Sequence, residues 1–246
     1  IIGKGGQGGS GLRVKNAAHP TTSAYNAGYH TANLGTGSDG GPAIKINSGV
    51  SNVTITNSSG AYICGGGGGG GSSGVEPQNS FSGGGGGAGG AEGGCADLYS
   101  FGYGEYGRGG ELNAKGYFLS GSTQVTTYGG EAGGPGIPSA GEDQRSGSGG
   151  GAGRKVPGAR VNSPPYGSNT TTGYGGAGGE AGGNGNSAGG NTGCSGGGGG
   201  WGSAGGKGYR GAFVSNQCQG GDAGKAVDDS GVSYTLSNSG TIYGGT

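Results

Sequence analysis

Few residues in this chain have the type and spacing that performs chemistry. Its two histidines, His19 and His30, lie in a polar stretch ahead of Asp39. A histidine oriented by a carboxylate activates a Ser or Cys nucleophile. No Ser or Cys here sits in a nucleophile motif, and the chain is poor in helix patterns. Both histidines therefore read as polar loop residues. Glu142-Asp143 is a carboxylate pair of the kind used in acid–base work, but its setting, Gly141 before and Gln144-Arg145 after, is that of a solvated loop tip. G-x-G-x-x-G recurs throughout; with 78 glycines in 246 residues it recurs by chance, and no match opens a helix of the Rossmann kind. Lys207 and Lys225 follow glycine, but Gly208 and Ala226 come next in place of Ser or Thr, and the motif's upstream glycine is Trp201 or Gln219.

The four cysteines are Cys64, Cys95, Cys194 and Cys218, with no C-x-x-C spacing. With only two histidines beside them, no metal site is expected. One or two disulfides in any of three pairings, or free thiols packed as small apolar groups, both remain open. Asn52, Asn57 and Asn169 head N-x-Ser/Thr sequons. No cofactor motif and no catalytic constellation stand out, so a non-enzymatic protein is expected.

What remains is recognition chemistry. Glycine-rich tracts alternate with varied inserts at 72–82, 95–128, 135–146, 154–172 and 212–218. The longest insert holds Tyr99, Phe101, Tyr103, Tyr106, Tyr117, Phe118 and Tyr128; another holds Arg160 and Tyr166. Tyrosine supplies large amphipathic contact area at low entropic cost, and Ser, Gly and Asn supply adaptable hydrogen bonding. These aromatics and Arg160 are the candidate receptor-binding residues, on loops held by a scaffold. Structural edge-covering by tyrosine is the competing reading. Trp201, phased with Ala204 in a glycine tract, is expected to cover a scaffold edge.

The scaffold must be made of glycine, which disfavours order by roughly 0.5–1 kcal/mol per residue relative to Ala. Flexible linkers are one outcome. The other is backbones packed too closely for any side chain. Phase decides between them. Lys4, Gln7 and Ser10 fall every third residue, as do Tyr174, Ala177 and Glu180; Trp201, Ala204, Lys207 and Arg210; and Gln219, Asp222 and Lys225. Three residues per turn is the period of a polyproline-II-type helix, which glycine adopts as polyglycine II. Such helices have no internal hydrogen bonds, so their N–H and C=O groups must pair between helices. The pure runs 65–71, 83–87 and 196–200 are expected inside a layered bundle, and the phased tracts outside it.

Short strands are expected near residues 12–63 and 232–246, with essentially no α-helix. LRVKNAAH (12–19) is a candidate strand; AIKIN (43–47) and NVTIT (52–56) alternate and are β-branched. VTITNSSGAYICGG (53–66) repeats as SYTLSNSGTIYGG (233–245), and the two copies are expected near each other at one end of the bundle. The whole chain, 1–246, reads as one glycine-rich domain: a strand-containing base at 12–63 and 226–246, with tracts and variable loops at 64–225.

Composition sets outer limits. Hydrophobic residues are 28%, too few for an ordinary oily core. Lys+Arg and Asp+Glu both number 13, and zero net charge argues against a nucleic-acid partner. Thirteen tyrosines argue against simple disorder. No apolar run reaches membrane-spanning length, and no signal peptide is visible. A start at Ile1 and the lack of methionine suggest a trimmed fragment.

The opening GKGGQGG, the strand–turn ITNSSGAYIC running into GGGGGGG, the alternation of glycine tracts with variable segments and the ending GDAGKAV…YTLSNSGTIYGG together resemble one family. It is that of the tail-fibre tip adhesins of T-even-type bacteriophages. The resemblance spans the chain but lacks the family's N-terminal fibre-attachment domain. It implies a polyglycine-II bundle at the distal tip of the virion's tail fibre. Its loops would bind an outer-membrane protein or a surface glycan, and a tail-fibre shaft protein would be the other partner. An ice-binding polyglycine bundle and an extracellular glycine-rich structural protein are the alternatives.

Overall fold

The computed structural model describes residues 1–6, 8, 36–71, 84–89, 95–97, 104–106, 114–120, 123–129, 156–158, 160, 174–185, 196–208 and 219–246. Among these residues there is no α-helix, regular structure is limited to ten short strands, and no helix is long and apolar enough to cross a membrane. The candidate strand at 12–19 lies outside the described residues.

Residues 65–71 are all glycine and all buried. Their N–H groups serve neighbours in rotation. Gly66 and Gly69 donate to Gly41 and Ser38, Gly67 and Gly70 to Ala88 and Gly85, and Gly68 and Gly71 to Ser203 and Gly206, at 2.7–2.9 Å. The carbonyls accept from three further segments. Gly3 and Gly6 donate to Cys64 and Gly67, Gly199 and Gly196 to Gly68 and Gly71, and Gly224 and Gly221 to Gly66 and Gly69, at 2.7–2.8 Å. Six segments therefore surround one tract, and each is met again three residues on. Segments 1–6 and 201–208 run parallel to it, because partner numbers rise together; the other four run antiparallel. Polar backbone groups thus find partners although the segment forms no bonds within itself. The rotation leaves no room for side chains: a Cβ on Gly68 would land on the carbonyl oxygen of Gly221.

The three-residue step also sorts side chains at the periphery. Gln219, Asp222 and Lys225 are exposed, with Gly221 and Gly224 buried between them. Lys4 is exposed between buried Gly3 and Gly5. Trp201 departs from expectation. It is fully buried, packed with Cys64 and Ala88, and Tyr62, Val156 and Tyr243 close over the cluster. Further along its row, Ala204 is half-buried and Lys207 exposed, so the row runs from the core outward. Cys64 is a free thiol in this cluster. Burial pushes the thiol up to about 11, against a smaller downward pull from the N-terminal ammonium. Burial of apolar surface, not a disulfide, accounts for Cys64; the Sγ atoms of the other three cysteines lie outside the described set.

At the Gly65 end the chain forms parallel pairs. Strands β1 (Ile44–Lys45), β2 (Val53–Asn57) and β3 (Tyr62–Cys64) pair with β8 (Val227–Asp228), β9 (Tyr234–Asn238) and β10 (Thr241–Tyr243). The register sets like against like: Thr54 on Thr235, Ile55 on Leu236, Asn57 on Asn238, Ile63 on Ile242. The two copies of the repeat are thus side by side. The pairing also extends the repeat upstream of the expected start. The turn Asn47-Ser48-Gly49-Val50-Ser51 matches Asp229-Ser230-Gly231-Val232-Ser233; Val50 N–H donates to Asn47 and Val232 N–H to Asp229, and Gly49 and Gly231 share a left-handed φ of 89° and 80°. Strand β1 carries buried Ile46 at its exit, and β8 begins after buried Ala226. Residues Ile1–Gly3 flank β3 on its other side: Ile1 bonds across to Cys64, whose carbonyl accepts from Gly3.

Strands also occur where only loops were expected. Strands β4 (Cys95–Asp97) and β5 (Gly104–Tyr106) form one antiparallel pair, and β6 (Ala114–Ser120) and β7 (Thr123–Gly129) another. The sequence carried the signal for the second: β-branched and aromatic residues on either side of Gly121-Ser122, a two-residue hairpin connection beginning with glycine.

Candidate recognition surface

The hydrogen-bond rows define which end of the bundle each connection leaves. At one end, Gly71 donates to Gly206 and accepts from Gly196, Gly70 donates to Gly85, Gly185 to Lys207, and Gly37 to Gln219. The described segments that border residues 9–35, 72–83, 186–195 and 209–218 therefore all stop at this end. Tyr174, which accepts from Gly183 beside Gly197, brings the end of 161–173 there as well. The opposite end holds Cys64, the parallel pairs, Trp201 and the turn Ala177–Glu180, where Glu180 N–H donates to Ala177. Ala88 and Val156 both lie in the Trp201 cluster. The chain therefore leaves for residues 90–155, including the long insert 95–128, from the strand-bearing end.

The candidate residues separate accordingly. Tyr99, Phe101, Tyr103 and Tyr166 lie outside the described residues. Tyr106 pairs with Cys95 in the β4–β5 ladder. Tyr117 pairs with Thr126, Phe118 with Val125 and Tyr128 with Lys115, so the period of two places positions 117 and 128 on one face of the β6–β7 ribbon and position 118 on the other. These three belong to one supersecondary unit and not to independent loops.

Arg160 is the candidate whose side chain is seen, and it is already engaged. Its guanidinium grips both carboxylate oxygens of Glu180, with Nε 3.1 Å from Oε2, and sits 4.1 Å from the centre of the Tyr174 ring. Glu180 Oε2 also accepts the Ala177 N–H at 3.1 Å. The hydrogen bond from Arg160 holds the Glu180 carboxyl below the ordinary carboxylate range, and Glu180 raises the Arg160 guanidinium in turn. Planar fork geometry and stacking suit arginine to this tie. It anchors the entry to 161–173 on the flank of the bundle. Both partners, Tyr174 and Glu180, belong to a phased glycine tract that sequence reading assigned to scaffold alone.

Of the sequons, Asn57 is buried: its Nδ2 donates to Asn238 Oδ1 at 2.7 Å and to the Thr241 carbonyl at 3.3 Å. Asn52 is exposed at a left-handed φ of 58°, and Asn169 lies outside the described residues. Asp39 Oδ1 accepts the Asp222 N–H at 2.8 Å; His19 and His30 lie outside the described residues. Among the described residues no group of three or more His, Cys, Asp or Glu is placed to hold a metal ion. No known protein family, characterised protein or solved structure matches the chain.

Proposed function

We propose that this chain is a tail-fibre tip adhesin that binds a bacterial outer-membrane protein or surface glycan through loops displayed on a polyglycine-II bundle. The observation that carries this reading is that the described residues bordering four connections, 9–35, 72–83, 186–195 and 209–218, meet at the Gly71 end of a backbone-paired core, where Tyr174 also closes a fifth, 161–173. Three-residue rotation of hydrogen bonds around Gly65–Gly71 supports polyglycine II, which has three residues per turn and no internal bonds. A scaffold without side chains at its centre tolerates variation at its connections, and recognition sits on such connections. Binding is non-enzymatic and weakly steered, in keeping with a formal charge of zero. The free pole of such an adhesin is the Gly71 end; the strand-bearing end, with 95–128, faces the shaft side. Pull-down from outer membranes of candidate hosts tests the reading, using the chain and two exchanges, one of 161–173 with 209–218, one of 95–128. Loss or redirection of binding on exchange of 161–173 with 209–218 supports the reading; loss on exchange of 95–128 alone overturns the assignment of the free pole, and capture of no membrane component by the parent chain sinks the whole reading.

An ice-binding role is favoured by one observation. Thr54, Thr56, Thr235 and Ser237 form an exposed, in-register hydroxyl grid on β2 and β9. Thermal hysteresis of the purified chain decides that alternative.

A further inference from the structure

The two strand levels at the Gly65 end differ in strand number. At the β3 level three segments lie side by side in parallel: Ile1–Gly3, β3 and β10. At the β2 level, among the described residues, there are two, β2 and β9. The sequences explain why the third member fits. Ile2 pairs with Cys64 and Cys64 with Tyr243, so Ile1-Ile2-Gly3 aligns with Ile63-Cys64-Gly65 and with Ile242-Tyr243-Gly244. Each triplet leads an extended segment into a glycine tract. Ile1-Ile2-Gly3 thus stands beside β3 in the same register as β10 does on the other side.

The β2–β9 ribbon has the properties of an incomplete sheet. Its inner row, Val53, Ile55, Tyr234 and Leu236, is only half-buried. Its ten residues include no charge and no proline, the usual guards of a strand edge. Among the described residues, its backbone bonds beyond its own ladder are to its own turns: Ser239 and Gly240 donate to Asn57. Parallel sheets of two strands with an uncovered face are rare, and isolated strand pairs are marginal.

We propose that the outer edge of β2 is a strand-docking site, and that its occupant is polypeptide continuous with Ile1, laid parallel to β2 in the register that β9 already shows. Direction and position follow from the neighbours. The Ile1 ammonium donates to the Tyr62 carbonyl at 2.9 Å, so polypeptide joined there starts its path beside Tyr62 and runs back along the outer side of β2. A second copy of this chain fits poorly in the same register. A neighbour's β9 would bring its β10 onto the outer edge of β3, which Ile1–Gly3 already fills. The chemistry of the occupant is that of the two known members: β-branched or aromatic residues alternating with hydroxyls, then a turn, as in Val53–Asn57 and Tyr234–Asn238. The site does not depend on the adhesin reading.

The test compares the 246-residue chain with the same chain extended ahead of Ile1 by Ser-Tyr-Thr-Leu-Ser-Asn-Ser-Gly-Thr, the residues that precede Ile242. A scrambled extension of the same composition is the control. Docking raises Tm by about 2–4 °C over the scrambled form, and slows amide exchange at alternate residues of Val53–Asn57 by about tenfold or more. An extension that matches the scrambled control in both readouts overturns the proposal. So does concentration-dependent association of the unextended chain, by sedimentation velocity, accompanied by protection of β2, since the edge would then belong to another copy.

Discussion

Two regions of this molecule meet the same requirement in different ways. The tract Gly65–Gly71 and the ribbon of β2 and β9 both consist of extended backbone that cannot bond to itself. Among the described residues each strand of the ribbon has one bonded neighbour, side chains alternate, and Val53 and Ile55 turn inward while Thr54 and Thr56 face water. The tract has six neighbouring segments, bonded in rotation, and every direction is occupied by another backbone. A neighbour on one side leaves two faces for side chains; neighbours on six sides leave none. Glycine in the tract is therefore a packing requirement, whereas in the ribbon sequence variation is limited only by alternation. Order without an oily core becomes possible because many backbone contacts, including Cα–H···O contacts at about 0.5–1 kcal/mol each, replace side-chain burial.

The sharpest way to break the contrast is to place one methyl group in each region. Gly68→Ala puts carbon onto the Gly221 carbonyl and forces apart segments that Gly68 joins through bonds to Ser203 and from Gly199. The expected cost is above about 5 kcal/mol, among the large values that only specific mechanisms reach, and is read as loss of a cooperative thermal transition. Lys207→Ala, on an exposed position, should shift stability by less than about 0.5 kcal/mol. Equal melting of the two variants would show that the tract is not close-packed.

Trp201→Ala should follow, at about 3–5 kcal/mol in chemical denaturation. Trp201 is the largest side chain that the described residues bury completely, and it lies where tract and strands meet, against Cys64 and Ala88. A cost under about 1 kcal/mol would mean that the strand-bearing end does not depend on it. Trp201 also marks how legible the chain was. Its three-residue phase with Ala204 and Lys207 was visible in the sequence, but phase gives a direction around the tract, not a depth along it. Depth depends on where the strands end, and that is set by pairing between residues some 180 positions apart, such as Asn57 and Asn238. The repeat was legible over a dozen residues. Its extension to Asn47 and Asp229 was hidden because the copies differ in length between their conserved turns, with Asn52 added in one. The matching turn bonds and left-handed glycines identify those turns as equivalent, although the strand registers on either side differ from them by one residue each.

Asn57 tests the ribbon from within. Its amide bonds to Asn238 and Thr241 while buried, so Asn57→Ala removes two hydrogen bonds that tie β2 to the other copy, although Asn238 Oδ1 keeps the Gly240 N–H, and should cost about 1–3 kcal/mol. Thr56→Ala, one residue earlier and exposed, is the control and should be near neutral. A glycan on Asn57 in a eukaryotic host would be incompatible with this burial, so mass spectrometry of protein expressed there should find that site unmodified. A fully occupied Asn57 site would mean that the β2–β9 pairing is not formed as described.

The smallest expected effect lies on the bundle's flank and separates anchoring from recognition. Arg160 was a candidate contact residue because it stands in a varied insert; its partners Tyr174 and Glu180 lie in a glycine tract, and nothing in local sequence links positions twenty apart. An exposed ion pair contributes little to global stability, so Glu180→Gln should leave the thermal transition almost unchanged. Its effect should be local. The folded-state carboxyl of Glu180 is held below its unfolded value, so the tie is complete above the ordinary carboxylate range and is lost as pH falls through the lowered value. Tyr174 ring resonances, shifted by the guanidinium above them, should move on acidification only after free carboxylates have titrated, and Glu180→Gln should abolish that late step. Both variants of the tie, Glu180→Gln and Arg160→Lys, should weaken receptor capture only through the neighbouring segment 161–173. If Arg160→Ala abolishes capture while Glu180→Gln leaves it intact, Arg160 contacts the receptor itself and its grip on Glu180 is released on binding.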